Sequence, residues 1–453
     1  NEQEVEGFHV SIDWMLNSDW TLRSITADRD DYTETVIDFD GLPTMDFDAI
    51  VIYDNEQFSQ ELQLLYTGDK LYMVAGLYYL DASAVNHFDI VLFNSLTQYT
   101  GGFVDTEATS AFVDVTYDIS DRLALSVGGR YTSDKRSADI ERTIYVGIGS
   151  PFFGNDSPPP PVFTVQSDYA ASRTYDDFSP RINLNFAYDE DTILYGGFTQ
   201  GYKAGSFDPR GANLVSPAAE RGFEPETVDS FEFGMKRTWA GGRARTNIAL
   251  FFSDYKDVQI PGSVIYDSDG DGVNDSFAGA VTNAGKAEIT GIEFEGLFAL
   301  TENLTASAAF SLLDAKYKEF VVNDVDVADQ RTIQNTPEEM VSVNLNYEQD
   351  LANGSLNLGV NWSYKGDIVQ FEFYAPDIDQ KAYSLFNASA TWTSDDDKWL
   401  VGIYGKNLAD EEIKAAGYCF GLTGCPSALG AEDNTTIFYA PPRTISAAVE
   451  YRF

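Results

Sequence analysis

Ten residues, YDSDGDGVND (266–275), have the composition of a site for a hard cation. Carboxylates at alternating positions converge on such an ion when a loop curls, and Gly272 would allow the sharp turn. Where a full calcium loop has its closing bidentate glutamate, this chain has Ala278. The stretch therefore predicts either a short structural calcium loop or a solvated acidic turn, and no other cofactor is expected. The candidate ligands are Asp267, Asp269, Asp271 and Asp275.

The two cysteines, Cys419 and Cys425, lie close together in the glycine-rich stretch YCFGLTGCPS. A zinc site is not expected here, because the chain's two histidines, His9 and His87, are far away in sequence. The spacing favours a short-loop disulfide formed in an oxidising compartment, with two free thiols as the alternative.

Composition excludes two broad classes of function. The net charge of −43, from 72 acidic and 29 basic residues, argues against nucleic-acid binding, which needs a basic face. A GxSxG motif is missing, and two histidines with scattered serines form no credible catalytic triad, so we do not expect an enzyme. The acidity fits solvated loops or attraction of cations to a pore mouth, and the sequence leaves both open.

The elements that would position these residues show a period of two. In ISAAVEYRF (445–453), RINLNFAY (181–188) and VSVNLNYE (341–348), apolar residues alternate with small or polar ones. Alternation of this kind is typical of strands in a soluble sandwich or in a membrane barrel. No apolar run reaches the length of a transmembrane helix, and no signal peptide is evident.

Connection lengths and aromatic residues favour the barrel. Tight turns, as at 189–191, 240–243, 300–303 and 394–397, alternate with long acidic connections predicted at 137–173, 204–225, 256–284 and 318–336. Aromatic residues stand next to the turns, as expected for the two membrane interfaces. They are Trp14, Trp20, Tyr78, Tyr79, Tyr188, Tyr195, Trp239, Tyr347, Trp392 and Trp399. The final Phe453, with Tyr451 two residues earlier, resembles the assembly signal of outer-membrane barrels.

These patterns predict an all-β fold, a transmembrane antiparallel up-and-down β-barrel with about 17 strands. Because such barrels have an even number of strands, and plugged transporters have 22, we expect residues 1–453 to be one barrel domain without its first strands. The expected strands centre on 8–16, 20–28, 57–67, 71–81, 107–118, 123–133, 178–189, 192–203, 226–239, 243–256, 287–299, 304–316, 338–349, 355–366, 382–393, 398–409 and 441–453.

Ten segments, in order, resemble TonB-dependent receptors of the bacterial outer membrane across nearly the whole chain. They are EQFSQELQL (56–64), VAGLYYL (74–80), GGRYTSDK (128–135), FSPRINLNFAYDEDTILYGGFTQGYKAGSFDPR (178–210), FEPETVDSFEFGMKRTW (223–239), ALFFSDYKDVQ (249–259), NAGKAEITGIEFEG (283–296), NTPEEMVSVNLNY (335–347), GKNLADEE (405–412) and YAPPRTISAAVEYRF (439–453).

The resemblance implies a 22-stranded barrel that encloses an N-terminal plug, and neither the plug nor a TonB box is in this chain. It implies active uptake of a scarce nutrient, first of all a ferric siderophore. Cobalamin or an oligosaccharide carried by the same receptor type, and a passive porin, remain the alternatives. The implied partners are outer-membrane lipid, the inner-membrane TonB complex, the barrel-assembly machinery and a small ligand such as a metal chelate. We expect a monomer and no nucleic acid.

The resemblance also places the ligand among the extracellular loops and the upper wall. Loop residues that could contact it, or could simply pack within the loops, are Phe152, Phe153, Tyr202, Phe207, Arg210, Phe371 and Phe373. The charges Arg181, Glu232, Glu293 and Glu295 are expected on the wall, either hydrated or paired with the plug.

Overall fold

Strands dominate the computed structural model of this chain. It describes residues 2–39, 41–45, 47–153, 160–214, 217–266, 276–283, 285–322, 325–420 and 434–453, and at 217–218, 263–266, 276–278, 419–420 and 434 the backbone alone. Within these ranges, no helix is long and apolar enough to cross a membrane. Three short 3-10 helices accompany the strands, at Pro217–Arg221, Ala240–Gly242 and Ala328–Gln330.

The strands are β1 (Glu2–Met15), β2 (Trp20–Asp38), β3 (Asp48–Thr67), β4 (Leu71–Leu92), β5 (Leu96–Ser120), β6 (Leu123–Val146), β7 (Val162–Asp189), β8 (Thr192–Lys203), β9 (Glu226–Trp239), β10 (Ala244–Lys256), β11 (Gln259–Tyr266), β12 (Ser276–Asn283), β13 (Gly285–Ala299), β14 (Leu304–Val322), β15 (Val325–Asp326), β16 (Glu339–Leu351), β17 (Gly354–Lys365), β18 (Tyr383–Ser394), β19 (Trp399–Lys406), β20 (Lys414–Phe420), β21 (Asn434–Tyr439) and β22 (Thr444–Tyr451).

Seventeen of these strands match the seventeen that the alternation predicts. They belong to one sheet, which also contains the two-residue β15. The other four strands form two separate hairpins, β11–β12 and β20–β21, inside long connections. The all-β antiparallel prediction and its strand count are therefore confirmed.

Several strands extend beyond their predicted bounds at the end away from the short turns. The predicted connection 137–173 is too long, because β6 continues to Val146 and β7 begins at Val162. Likewise β4 and β5 pair up to Leu92 and Leu96, which leaves only three residues between them. Alternation fades here because the two faces of the extended strands no longer differ consistently in polarity, although the backbone pairing continues.

The chain divides into two compact units. Unit 1 comprises Asn1–Asn183, Thr199–Asp229 and Tyr255–Lys286, and unit 2 comprises Leu184–Phe198, Ser230–Asp254 and Ala287–Phe453. In unit 1, β1 to β6 pair consecutively and antiparallel. In unit 2, β14 pairs with β16, and then β16, β17, β18, β19 and β22 pair in turn.

The sheet of unit 1 has one apolar and one polar face near the short turns. On the apolar face Leu62 stands opposite Leu77, and both are exposed, at 44% and 61%. On the polar face, Tyr78 stands opposite Glu61 on one side and opposite Ser110 on the other. A broad exposed apolar band beside a polar face fits a strand wall that meets lipid on one side only.

Unit 2 shows the same division, and an amide ladder marks its polar face. Asn344, Asn361 and Asn387 stand opposite one another across β16, β17 and β18. Asn387 donates to Asn361 (2.9 Å), Asn361 to Asn344 (2.8 Å), and Asn344 to Ser307 of β14 (3.2 Å). The neighbouring row, which alternation turns to the other face, is apolar and places Val343 opposite Trp362. Side-chain bonds thus reinforce the backbone ladder across four strands.

Candidate functional site

The connection between β8 and β9 folds back onto the polar face of unit 1. We call its described residues, 204–214 and 217–225, the shelf. Phe207 of the shelf is 3% exposed and packs against Ala138, Ile140 and Tyr169. Thr132 of β6 stands opposite Ser110 and therefore lies on the polar face. Ala138 and Ile140 lie on the same face as Thr132, because no register shift interrupts that part of the strand. An apolar anchor on an otherwise polar wall fixes the shelf there.

Side chains of β6 and β7 hold the shelf by its main chain. Five side chains donate hydrogen bonds to shelf carbonyl oxygens, so the contacts do not depend on the shelf's own side chains. The pairs are Arg142 with Arg210, Ser167 with Gly211 (2.6 Å), Tyr169 with Ala219 (3.2 Å), Arg173 with Arg221 (2.7 Å) and Tyr175 with Phe223 (3.2 Å).

The two ends of the shelf are joined to each other. Ser206 and Phe223 form an isolated antiparallel bridge, and the Phe223 N–H donates to the Ser206 carbonyl oxygen at 2.8 Å. Gly222, the residue before Phe223 of this bridge, has a φ of +65°. A Cβ at Gly222 would also clash with the Ser206 carbonyl oxygen. Glycine is therefore required where the shelf closes.

The shelf contains an ion pair of its own. Arg210 is half exposed and binds Asp208 at 2.7 Å. Burial, together with nearby Asp208 and Glu220, raises the pKa of Tyr169 to about 12. The Tyr169 hydroxyl therefore stays protonated and remains a donor to the shelf across the physiological pH range.

Beneath the shelf lies a second polar cluster with one unused group. Asp134 is 7% exposed and receives two bonds from Arg136, at 2.7 and 3.1 Å. Arg173 lies over the ring of Tyr175, 4.9 Å from its centroid, and burial raises the pKa of Tyr175. The Tyr202 hydroxyl is buried and has no hydrogen-bond partner among the described residues. Aromatic rings, paired charges and an unused hydroxyl suit ligand binding rather than proton transfer.

A second connection, between β6 and β7, is fastened to the opposite face. We call residues 147–153 the staple. Thr97 Oγ1 donates to the Gly147 carbonyl oxygen (2.9 Å) and accepts the Gly149 N–H (2.6 Å). The Ser150 N–H donates to Asp89 Oδ2 at 3.0 Å. Asp89 is 4% exposed, and burial raises its pKa to about 6.

An aromatic stack completes the staple. The Phe152 ring stacks on His87 with centroids 3.8 Å apart, and Phe153 meets Phe152 edge-on at 4.9 Å. His87 shares a face of β4 with Leu77 by alternation, and burial lowers the pKa of the imidazole. Phe152 and Phe153 therefore lie on the opposite face from the shelf, and the structure does not bring them together with Phe207 and Arg210.

Two of the predicted contact residues turn out to be packing residues. Phe207 anchors the shelf, and Phe373 is 8% exposed in a cluster with Ala375 and Ile378. Phe371 stacks on Phe373 with centroids 5.5 Å apart. In unit 1, Arg181 is a wall charge, paired with Asp114 at 2.8 Å.

The predicted metal, disulfide and assembly residues stay predictions. Asp267, Asp269, Asp271 and Asp275 lie outside the described residues, and so does Cys425, whereas Cys419 is described by its backbone in β20. The Tyr451 ring of β22 lies 4.7 Å from that of Trp399 and 5.2 Å from that of Phe453, centroid to centroid. Phe453 is fully exposed.

The residues that hold the shelf were missed by the sequence reasoning. One face of β7 carries these donors at alternate positions, with position 171 skipped: Ser167, Tyr169, Arg173 and Tyr175. The first three lie within the connection predicted at 137–173. The signal that could have identified them is an alternation of side chains that donate hydrogen bonds, rather than an alternation of apolar side chains.

Comparison with known proteins gives one family. The family model for the TonB dependent receptor-like beta-barrel matches residues 1–408. The pesticin receptor of Yersinia pestis is 22% identical over 326 residues, 71% of this chain and 42% of that protein. The chain thus spans less than half the length of this curated relative.

Solved structures show the same fold. The ferric yersiniabactin uptake receptor FyuA from Yersinia pestis superposes with a TM-score of 0.74 at 18% identity, over 100% of this chain and 61% of that one. The siderophore receptor PiuA from Acinetobacter baumannii gives a TM-score of 0.70 at 13% identity, over 99% and 64%. The copper transporter OprC gives 0.68 at 14% identity, over 100% and 65%.

Proposed function

Because this chain belongs to the family of TonB-dependent receptor β-barrels, we propose that it forms the wall of a receptor for TonB-dependent active uptake of a scarce nutrient. The family consists of receptors and transporters of the Gram-negative outer membrane. We infer no enzymatic role for this chain. In this proposal the apolar face of each unit meets lipid and the polar face lines the interior.

The observation that carries the proposal is the shelf. A connection of more than twenty residues, held on the polar wall by five side-chain donors, would place its ligand-facing surface at a fixed position. A pre-formed surface loses less conformational entropy when a ligand binds than a mobile loop does. The exposed Arg210 is our candidate for a direct contact.

For the nutrient we propose a ferric siderophore. The solved relatives named above include receptors for a ferric chelate and for a siderophore, and one copper transporter. Arg210 of the shelf is paired with Asp208 of the same segment, so recognition by Arg210 would depend on hydrogen bonds and neighbouring rings more than on net charge. Cobalamin, an oligosaccharide and passive porin flux are the alternatives that the experiment must separate.

The proposed partners follow from the same role. They are outer-membrane lipid, the inner-membrane TonB complex reached through a plug outside this chain, the barrel-assembly machinery and the chelate itself, with the receptor acting as a monomer. We further propose that Tyr451 and Phe453 are the assembly signal and that Cys419 and Cys425 form a disulfide. Asp267, Asp269, Asp271 and Asp275 would bind a structural calcium ion.

Uptake in cells tests the proposal. Cells that express the intact receptor should accumulate iron from a radiolabelled ferric siderophore, and deletion of TonB should abolish that accumulation. Uptake that continues without TonB would support a porin instead. Uptake of labelled cobalamin or oligosaccharide in place of iron would support the proposed receptor type but overturn the proposal that the nutrient is a ferric siderophore.

A further inference from the structure

One arginine on the polar face of unit 1 has only uncharged hydrogen-bond partners in the described part of the chain. Arg130 of β6 donates through Nη2 to Ser110 Oγ (2.8 Å) and through Nε to Thr132 Oγ1 (3.3 Å). These two hydroxyls are also bonded to each other at 3.0 Å. A guanidinium has five N–H donors, so three of the five remain for an acceptor from elsewhere.

Neighbouring cations on this face are paired with carboxylates. Arg136 binds Asp134 at 2.7 Å, and Arg181 binds Asp114 at 2.8 Å. Asp134 and Asp114 belong to β6 and β5, the two strands that also hold Arg130 and its partner Ser110. The carboxylates closest to Arg130 along these strands are therefore already occupied, although acidic residues far outnumber basic ones in the chain.

Two aromatic rings flank this arginine. Its Cζ lies 5.2 Å from the ring centroid of Tyr78 and 5.6 Å from that of Phe112. Phe112 stands directly opposite Arg130, and Tyr78 stands opposite Ser110. Rings at this distance stabilise a cation and also keep water away from it, which strengthens an ion pair formed there later.

We propose that Arg130 is a binding site for a carboxylate that comes from outside the described chain. The planar fork of a guanidinium matches the two oxygens of a carboxylate, and Tyr78 and Phe112 would contact the carbon skeleton that bears it. The carboxylate belongs either to a soluble ligand or to a protein segment that covers this face. The site does not depend on which nutrient the receptor carries.

Chemical footprinting of arginines tests the site. The 453-residue chain, folded in detergent micelles, is treated with phenylglyoxal, and the modification of each arginine is followed by peptide mass spectrometry. An excess of tricarballylate, which carries three carboxylates, should slow modification of Arg130 at least about threefold, as expected for substantial occupancy. Sodium chloride of equal ionic strength should not. Arg136 and Arg181 are matched controls, because their own carboxylates already occupy them.

The intact receptor distinguishes the two sources. If the carboxylate is soluble, Arg130 of the intact receptor should be protected only when tricarballylate is present. If it belongs to a covering segment, Arg130 should be protected without tricarballylate, and a carbodiimide should cross-link an R130K variant to that segment. The proposal is overturned if Arg130 of the chain is inert to phenylglyoxal, or if it reacts at the same rate with and without tricarballylate and stays unprotected in the intact receptor.

Discussion

Phe207 of the shelf packs against Ile140 of β6, and the two side chains are 3% and 0% exposed. Ile140 lies on the polar face, where nothing in the alternation of β6 calls for a large buried apolar residue. The contact joins a connection between β8 and β9 to a strand more than sixty residues earlier in the chain. It is therefore the central point at which the shelf is fixed to the wall.

Truncation of this anchor should release the shelf. Phe207→Ala removes a buried ring, a change that costs about 3–5 kcal/mol where the site cannot collapse. We expect protease cleavage within 204–225 to rise strongly while the sheet stays folded. Phe163→Ala is the matched control, since Phe163 is 63% exposed and should tolerate truncation. Equal resistance of both variants to protease would contradict the anchoring role.

The tyrosine donors should stabilise the shelf individually. Tyr175→Phe leaves the Phe223 carbonyl oxygen without its donor, which costs about 1–3 kcal/mol if the oxygen stays buried. Hydrogen exchange at the Ser206–Phe223 bridge should become faster by about tenfold or more. Tyr188→Phe, at an exposed position, should leave exchange at the bridge unchanged. Unchanged hydrogen exchange at the bridge in the Tyr175→Phe variant would show that the Tyr175 hydrogen bond does not stabilise the shelf.

The staple should weaken as pH rises. The pKa of Asp89 in the folded chain is about 6, above the value of an unfolded aspartate, so the folded state binds this proton more tightly. The resulting stabilisation is complete below about pH 4 and is lost as pH rises through about 6, with a size of order 2–3 kcal/mol. Hydrogen exchange of residues 147–153, corrected for its intrinsic pH dependence, measures this.

Asp89→Asn serves as the control for that pH dependence, because it keeps an acceptor for the Ser150 N–H without a titrating proton. In this variant, protection of residues 147–153 should no longer fall as the pH rises from 4 to 7. His87 also faces the staple, and its lowered pKa means that protonation at acid pH opposes the effect of Asp89. If the Asn variant, which keeps His87, no longer loses protection as the pH rises, the transition is assigned to Asp89. A transition near pH 6 that persists in the Asn variant would refute the assignment.

The amide ladder of unit 2 should contribute to stability at its middle member. Asn361 donates to Asn344 and to Ser342 (3.5 Å) and accepts from Asn387, so Asn361→Ala removes three bonds and should cost about 1–3 kcal/mol of unfolding free energy. Asn357, four residues earlier on the same face of β17, makes no side-chain hydrogen bond in the described structure and provides the control. Denaturant unfolding measures the unfolding free energy of both variants. An equal loss in the two variants would argue against a contribution from the ladder.

The strands of the sheet could be predicted from the sequence more fully than the candidate site. Alternation finds strands wherever one face meets lipid and the other water, as at Leu77 and Tyr78, and it identified all seventeen. It fails beyond the membrane, where Asp31 stands opposite Asn55 and the two faces no longer differ in polarity. The strand extensions there are specified by cross-strand pairing, which a single sequence does not display.

The site was less predictable for a different reason. A loop sequence shows neither which face of the sheet it will cover nor which strand it will meet. Phe152 and Phe207 are both loop phenylalanines, yet one stacks on His87 and the other packs on Ile140 of the opposite face. The donors of β7 become meaningful only once the shelf is placed beside them.

Direct ligand binding tests most sharply whether the shelf forms part of a site for a ferric siderophore. Intact receptor in detergent is titrated with a panel of ferric chelates, cobalamin and oligosaccharides, and binding is followed by quenching of intrinsic fluorescence. We expect one ferric chelate to bind with a Kd below about 1 μM, and Phe207→Ala to weaken that binding at least about tenfold. Binding of cobalamin or a glycan but of no ferric chelate, or equal affinity in the Phe207→Ala variant, would contradict this expectation.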